Sequence, residues 1–123
     1  MASRILTVDD SPTVRQLLGT TLMDAGYEVV EAKDGEEALK IMENQHVDML
    51  VTDLNMPKLD GIGLVKQVRK LPGHRFMPII MLTTETNDEF KRQGKVVGAS
   101  GWIVKPFRPE QVLGVVRMVM PRT

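Results

Sequence analysis

The chain has 123 residues, a length that suits one ordinary domain rather than two. It contains no cysteine, which excludes disulfides, zinc knuckles and thiol nucleophiles, and 42% of it is hydrophobic, enough to fill a core without covalent help. Sixteen Lys and Arg balance sixteen Asp and Glu, so no overall positive field gathers nucleic acid or anionic lipid, and any charge-based function must be local.

The first segment, Met1-Ala2-Ser3-Arg4, lacks the apolar core of a secretory signal and runs directly into a strand predicted over residues 4–8. Pro12 opens a first helix and Gly26 stops it; Val14, Leu17, Leu18, Thr21, Leu22 and Ala25 place one mostly apolar stripe along it. A strand follows over 28–32, then a helix marked by Ala38, Ile41 and Met42, a strand over 49–52, and a helix marked by Leu64, Val65 and Val68. Residues 78–83 read as a fourth strand. The helical segment after it, about 87–97, has sparse apolar anchors, chiefly Phe90 and Val97, and carries Gly94 at a cost of about 1 kcal/mol relative to Ala, so it is expected to be the loosest helix. A fifth strand over 102–105 and a last helix from near Pro109, with Val112, Val115, Val116 and Val119 on one side, complete the alternation. The longest apolar stretches are broken by Pro78 or Arg117 and are too short to span a bilayer, so a soluble, cytoplasmic protein is expected. No linker, repeat or low-complexity tract divides the chain, and residues 1–123 read as one domain.

Strands that are apolar on both sides, alternating five times with helices, predict an α/β fold: a doubly wound parallel sheet with helices on both faces. In such sheets ligands bind beyond the carboxyl ends of the strands. The strand exits carry Asp9-Asp10, Asp53, Thr83-Thr84 and Lys105, which therefore converge on one edge. Singly, each has a plain explanation. Asp10 or Ser11 can cap the first helix, Asp53 can serve the turn before Asn55 and Pro57, Thr83 suits a strand end, and a lone lysine is usually solvated. Together they do not. Carboxylates about 4 Å apart repel by roughly 4 kcal/mol per pair at an effective dielectric near 20, so three converging acids need cations. Hard oxygen ligands without competing thiolates select Mg²⁺, and Lys105 adds a fixed positive charge.

These residues carry a resemblance. Ile5-Leu6-Thr7-Val8-Asp9-Asp10-Ser11, Thr52-Asp53-Leu54-Asn55-Met56-Pro57 followed by Leu59-Asp60-Gly61, Thr83, and Lys105-Pro106-Phe107 resemble, in order and across essentially the whole chain, the receiver domains of two-component response regulators, most closely the stand-alone chemotaxis type. The resemblance implies a (βα)5 flavodoxin-like three-layer sandwich with a parallel five-stranded sheet of order 2-1-3-4-5. It implies that Asp53 is the phosphoacceptor, attacking a phosphohistidine or small acyl phosphate. Mg²⁺ would be held by Asp10, Asp53 and the backbone carbonyl of Asn55, with Asp9 acting directly or through water, while Lys105 and the Thr83 hydroxyl bind phosphoryl oxygens. A cis bond between Lys105 and Pro106 is implied as well. Thr83 and the side chain three positions before the lysine would act as the switch. That side chain is Trp102 here, where most relatives carry Tyr or Phe, and indole is larger and offers only an N–H donor. The face made by the fourth helical segment, the fifth strand and the last helix would be remodelled for a partner. Asn55 and Glu85 would tune access of the hydrolytic water, giving a short-lived phosphoryl group. The expected partners are a histidine kinase of chemotaxis type, a flagellar motor switch or other protein target, and a phosphatase, with no nucleic acid and no membrane; a monomer is expected, acting on itself rather than as an enzyme.

The remaining conspicuous residues have simpler readings. Met42, Met49 and Met81 fall in apolar patterns and are expected to fill core gaps; His46 and His74 are expected in solvated loops; Asp88-Glu89-Phe90-Lys91-Arg92 reads as a solvated first turn. A flavin carrier of similar fold would need a Ser/Thr/Gly-rich phosphate cradle where Asp9-Asp10 stand. A phosphatase of the haloacid dehalogenase type would place its nucleophile after the first strand and add a cap, and a degenerate receiver would lack part of the ionic set. A receiver in another phosphorelay, a phosphate sink, or the receiver portion of a longer regulator shares all the residues of the chemotaxis reading.

Overall fold

Strands that carry apolar side chains on both sides can be covered on both sides, and the first, third and fourth predicted strands are of that kind. The computed structural model describes residues 3–54, 56, 59–84, 92, 93, 95 and 98–120. It places those strands, β1 (Arg4–Val8), β3 (Met49–Asp53) and β4 (Ile79–Thr83), at the centre of one sheet, with β2 (Glu28–Ala32) and β5 (Gly101–Val104) at its edges. The order is β2-β1-β3-β4-β5 and every pairing is parallel, as expected.

Successive side chains of a strand point to opposite faces, and this alternation sorts the core into two layers. Leu6, Val8, Leu50, Ile79 and Met81 pack beneath Ala38 and Met42 of α2 (Gly35–Asn44) and Leu64, Val65 and Val68 of α3 (Gly61–Val68). Ile5, Met49, Val51, Ile80 and Leu82 pack beneath Leu18 and Leu22 of α1 (Pro12–Asp24) and Val112 and Val116 of α4 (Pro109–Val119). Met42, Met49 and Met81 are core residues.

The helices start where a strand has just ended, and side chains mark the starts. The Ser11 hydroxyl accepts the Val14 N–H at 3.3 Å, the Asp34 carboxylate accepts the Glu37 N–H at 2.9 Å, and the Asp60 carboxylate accepts the Gly63 N–H at 2.7 Å. Pro12 and Pro109 stand in the first turns of α1 and α4, where no N–H is needed. Beyond α1 the chain reverses at Gly26, whose φ of 94° is open to glycine at little cost.

Several expectations need correction. β3 runs one residue further than predicted because Asp53 pairs with Leu82, and β5 is displaced one residue back because Gly101 pairs with Ile80. Pro78 stands before β4; having no N–H, it serves the sheet only through its carbonyl, which accepts from Leu50. Leu17 is 41% exposed and Ala25 caps α1 from outside, while Gly19 is buried, so the buried arc of α1 lies to one side of the predicted stripe. The helix expected over 87–97 falls largely outside the described residues; Arg92, Gln93 and Lys95 are helical.

The largest correction concerns His74, which is 3% exposed. Its Nε2 accepts the Val47 N–H at 3.2 Å and its ring stacks on that of His46, with centroids 5.6 Å apart, while His46 keeps an ion-pair partner in Asp48 at 3.0 Å. Burial first, and the neighbouring His46 charge second, hold the His74 pKa below its ordinary value.

Candidate functional site

Parallel strands all end on the same side, so the residues that leave β1, β3, β4 and β5 meet at one edge. Asp9 follows β1 and is fully buried; Asp10, next to it, is exposed. Asp53 is the last residue of β3 rather than a turn residue, and Thr83 ends β4, fully buried. Lys105 follows β5 and is held in place by its own N–H, which donates to the Thr83 carbonyl at 2.8 Å, and the Lys105–Pro106 bond is cis, as the resemblance implied.

The side chains converge as expected. Asp9, Asp10 and Asp53 each offer a carboxylate oxygen, and the three oxygens lie within 4.8 Å of one another. The Lys105 Nζ donates to Asp9 Oδ2 at 2.8 Å and lies 3.2 Å from Asp53 Oδ1. Burial by itself would lower the Lys105 pKa, but the hydrogen bond to Asp9 and the charges of Asp53 and Asp9 outweigh it and hold the ammonium above its ordinary value. Three carboxylates and one ammonium leave two formal negative charges, which one divalent cation balances. The donors are hard oxygens, with no sulfur or imidazole among them, and two of the three carboxylates are already sheltered from water. That set fits a magnesium-class ion.

Asp9 and Asp10 take different parts. The Asp9 carboxylate accepts the Ser11 N–H at 2.9 Å as well as the Lys105 ammonium, so it joins the turn into α1 to the far edge of the sheet. Ser11, not Asp10, caps α1. Asn55 and Glu85 lie outside the described residues. Trp102 is half-buried on the edge strand β5, in register with Met81, and packs against the core layer beneath α2 and α3.

Two residues went unnoticed in the sequence. Arg15, on α1, donates from Nη1 to the Asp9 carbonyl and lies 3.6 Å from Glu31 through Nε. Arg69, just after α3, donates to the carbonyls of Met77 and Gly98 at 2.6 Å and to that of Arg75 at 3.2 Å. Both act on main-chain carbonyls, which every sequence has. The only advance sign was the placing of Arg69 at a helix C-terminus, where basic side chains favour free carbonyls.

The response regulator receiver domain model matches residues 5–117, and the chain belongs to that family. The chemotaxis protein CheY4 of Vibrio cholerae is 48% identical, with 97% of this chain and 99% of that chain covered at a TM-score of 0.94. A protein named probable transcriptional regulator ycf27, from Porphyridium aerugineum, is 42% identical over 97% of this chain and 48% of its own length; the chain spans about half the length of the curated relatives it matches. The receiver domain of the sensor histidine kinase PA1611 from Pseudomonas aeruginosa is 26% identical, with 98% of each chain covered at a TM-score of 0.88, and its structure has a magnesium ion coordinated in the active site cleft. No helix among the described residues is long and apolar enough to cross a membrane.

Proposed function

We propose that this receiver domain is a phosphoacceptor whose Asp53 takes a phosphoryl group from a histidine kinase or a small acyl phosphate. The observation that carries this reading is the meeting of three carboxylates within 4.8 Å, two of them in contact with one buried-side ammonium. An Asp53 oxygen attacks phosphorus; the new O–P bond forms as the bond from phosphorus to the donor breaks, and its electron pair leaves with the donor. Magnesium would be held by Asp10, Asp53 and the Asn55 carbonyl, with Asp9 acting directly or through water, and would supply positive charge to the phosphoryl oxygens. Lys105 and the Thr83 hydroxyl bind the remaining oxygens, and the Lys105–Asp9 ion pair keeps the ammonium at the site before the donor arrives. The domain acts on itself and turns over no other substrate, with Asn55 and Glu85 tuning loss of the group to water. Acetyl phosphate with magnesium is expected to add one phosphoryl mass to the wild type and none to Asp53→Asn; equal labelling of both, or of neither, sinks the reading.

The output proposed is protein binding. Thr83 and Trp102 respond to the phosphoryl group, and the face made by the fourth helical segment read in the sequence, β5 and α4 changes for a target. Support comes from the half-buried Trp102 on an edge strand, flanked by the exposed Val104 and Met118. A chemotaxis role in flagellar motor control is favoured by the match to CheY4 over nearly all of both chains. A second reading, the receiver portion of a longer transcriptional regulator, is favoured by the half-length match to ycf27. Beryllofluoride-activated protein that binds a flagellar switch protein and shifts the amides of Trp102 and α4 supports the first; shifts confined to the acidic pocket count against any output through this face.

A further inference from the structure

We propose that Arg15 is a positioning residue for the divalent cation: it fixes the Asp9–Asp10 peptide and thereby aims the Asp10 carboxylate. The inference rests on the cation reading of the acidic cluster and concerns a residue that lies outside it.

Every polar atom of Asp9 has a partner. Its N–H donates to Ala32 at 3.3 Å, one carboxylate oxygen accepts from the Ser11 N–H and the other from Lys105, and its carbonyl accepts from Arg15 Nη1. Asp10 is the opposite: exposed, and without a hydrogen bond or ion pair among the described residues. The peptide between them is planar, so the direction of the Asp9 carbonyl sets the plane from which the Asp10 Cα and side chain emerge. Asp9 is buried where the chain leaves the sheet, and there its carbonyl has no strand partner; Arg15 meets that need. Arg15 is itself held from the other side. Its Nε faces the Glu31 carboxylate on β2, and its side chain is 19% exposed, so the guanidinium bridges β2 to the turn. Glu31 stands opposite Thr7 in the sheet register, at the level of the strand end, which puts this brace beside the acids rather than among them.

Charge and positioning predict opposite signs. Removing a cation close to an acidic cluster strengthens metal binding if charge alone matters, whereas loosening a residue that orients a ligand weakens it, typically by about 10- to 100-fold. A lysine keeps the charge but cannot present two donors in a fixed fork to the Asp9 carbonyl and Glu31 together. Magnesium affinity would be measured by calorimetry on wild type, Arg15→Met, Arg15→Lys and Glu31→Gln, each shown to be fully folded by circular dichroism. Arg15→Met is expected to bind about tenfold more weakly than wild type, Arg15→Lys nearer to Arg15→Met than to wild type, and Glu31→Gln with a smaller loss. Unchanged or tighter binding by Arg15→Met overturns the proposal. If that variant does not fold, Arg15→Lys and Glu31→Gln decide it by the same criterion. Absence of magnesium binding in the wild type would instead overturn the cation reading on which the proposal stands.

Discussion

Asp9 and Asp53 are carboxylates withdrawn from water, and Lys105 is the cation that makes their burial tolerable. At the opposite edge of the sheet His74 shows the other way to bury a titratable group, which is to keep it neutral. Because its folded pKa lies below the ordinary 6.5, the folded chain binds fewer protons than the unfolded chain once the pH drops below that value. Stability from His74 is therefore complete above 6.5 and is lost as the pH falls toward the folded pKa. As the pH falls below about 6.5, the urea midpoint of the wild type should decline more steeply than that of His74→Gln, and equal slopes would refute this. Gly61 is constrained by space rather than by charge. A Cβ there would lie 2.5 Å from the Asp53 carbonyl and 2.9 Å from the Leu54 Cα, both main-chain atoms that cannot step aside. Gly61→Ala should cost about 1–3 kcal/mol in urea denaturation and slow the labelling of Asp53, because the end of β3 must shift to admit the methyl group.

Among the elements, the central strands and the α2, α3 and α4 cores follow the apolar periodicity closely, since a buried face leaves a mark on residue type. Deviations occur at boundaries, where hydrogen bonding rather than hydrophobicity decides. The β5 shift is an example: Gly101 has no side chain to announce a strand, yet its backbone pairs with Ile80. Arg69 joins elements that the periodicity treats as separate. Its guanidinium reaches the α3–β4 connection through Arg75 and Met77 and the approach to β5 through Gly98, and burial lowers its pKa. Arg69→Met leaves those carbonyls without a donor. Amide hydrogen exchange should then quicken at residues 98–100 and 77–79 while the β1 and β3 amides keep their wild-type rates; uniform acceleration throughout the sheet would show that Arg69 serves global stability instead.

For the whole molecule, the site and the stability of the fold are linked through the same charges. A cation bound only by the folded chain stabilises it by about 2.7 kcal/mol at a hundred times its dissociation constant. Saturating magnesium should raise the thermal midpoint of the wild type, EDTA should reverse the rise, and Asp53→Asn should show a much smaller one; a midpoint indifferent to magnesium would contradict the reading of the acidic cluster. The amino-acid sequence by itself determined the alternation of strand and helix, the two-sided core, and the identity of the acids, threonine and lysine at the strand ends. These follow from local rules, in that side-chain type reports burial and parallel strands carry their exits to one edge. Only the tertiary structure decided that Asp9 is enclosed while Asp10 faces water, that Lys105 reaches across the sheet to Asp9 and Asp53, and that His74 lies inside. It also revealed that Arg15 holds the Asp9 carbonyl and that Arg69 joins nearby carbonyls to that of Gly98, 29 residues on. The physical reason is common to all of these: the partner is a main-chain atom or a residue distant in sequence, and neither leaves a periodic trace in the residues around it.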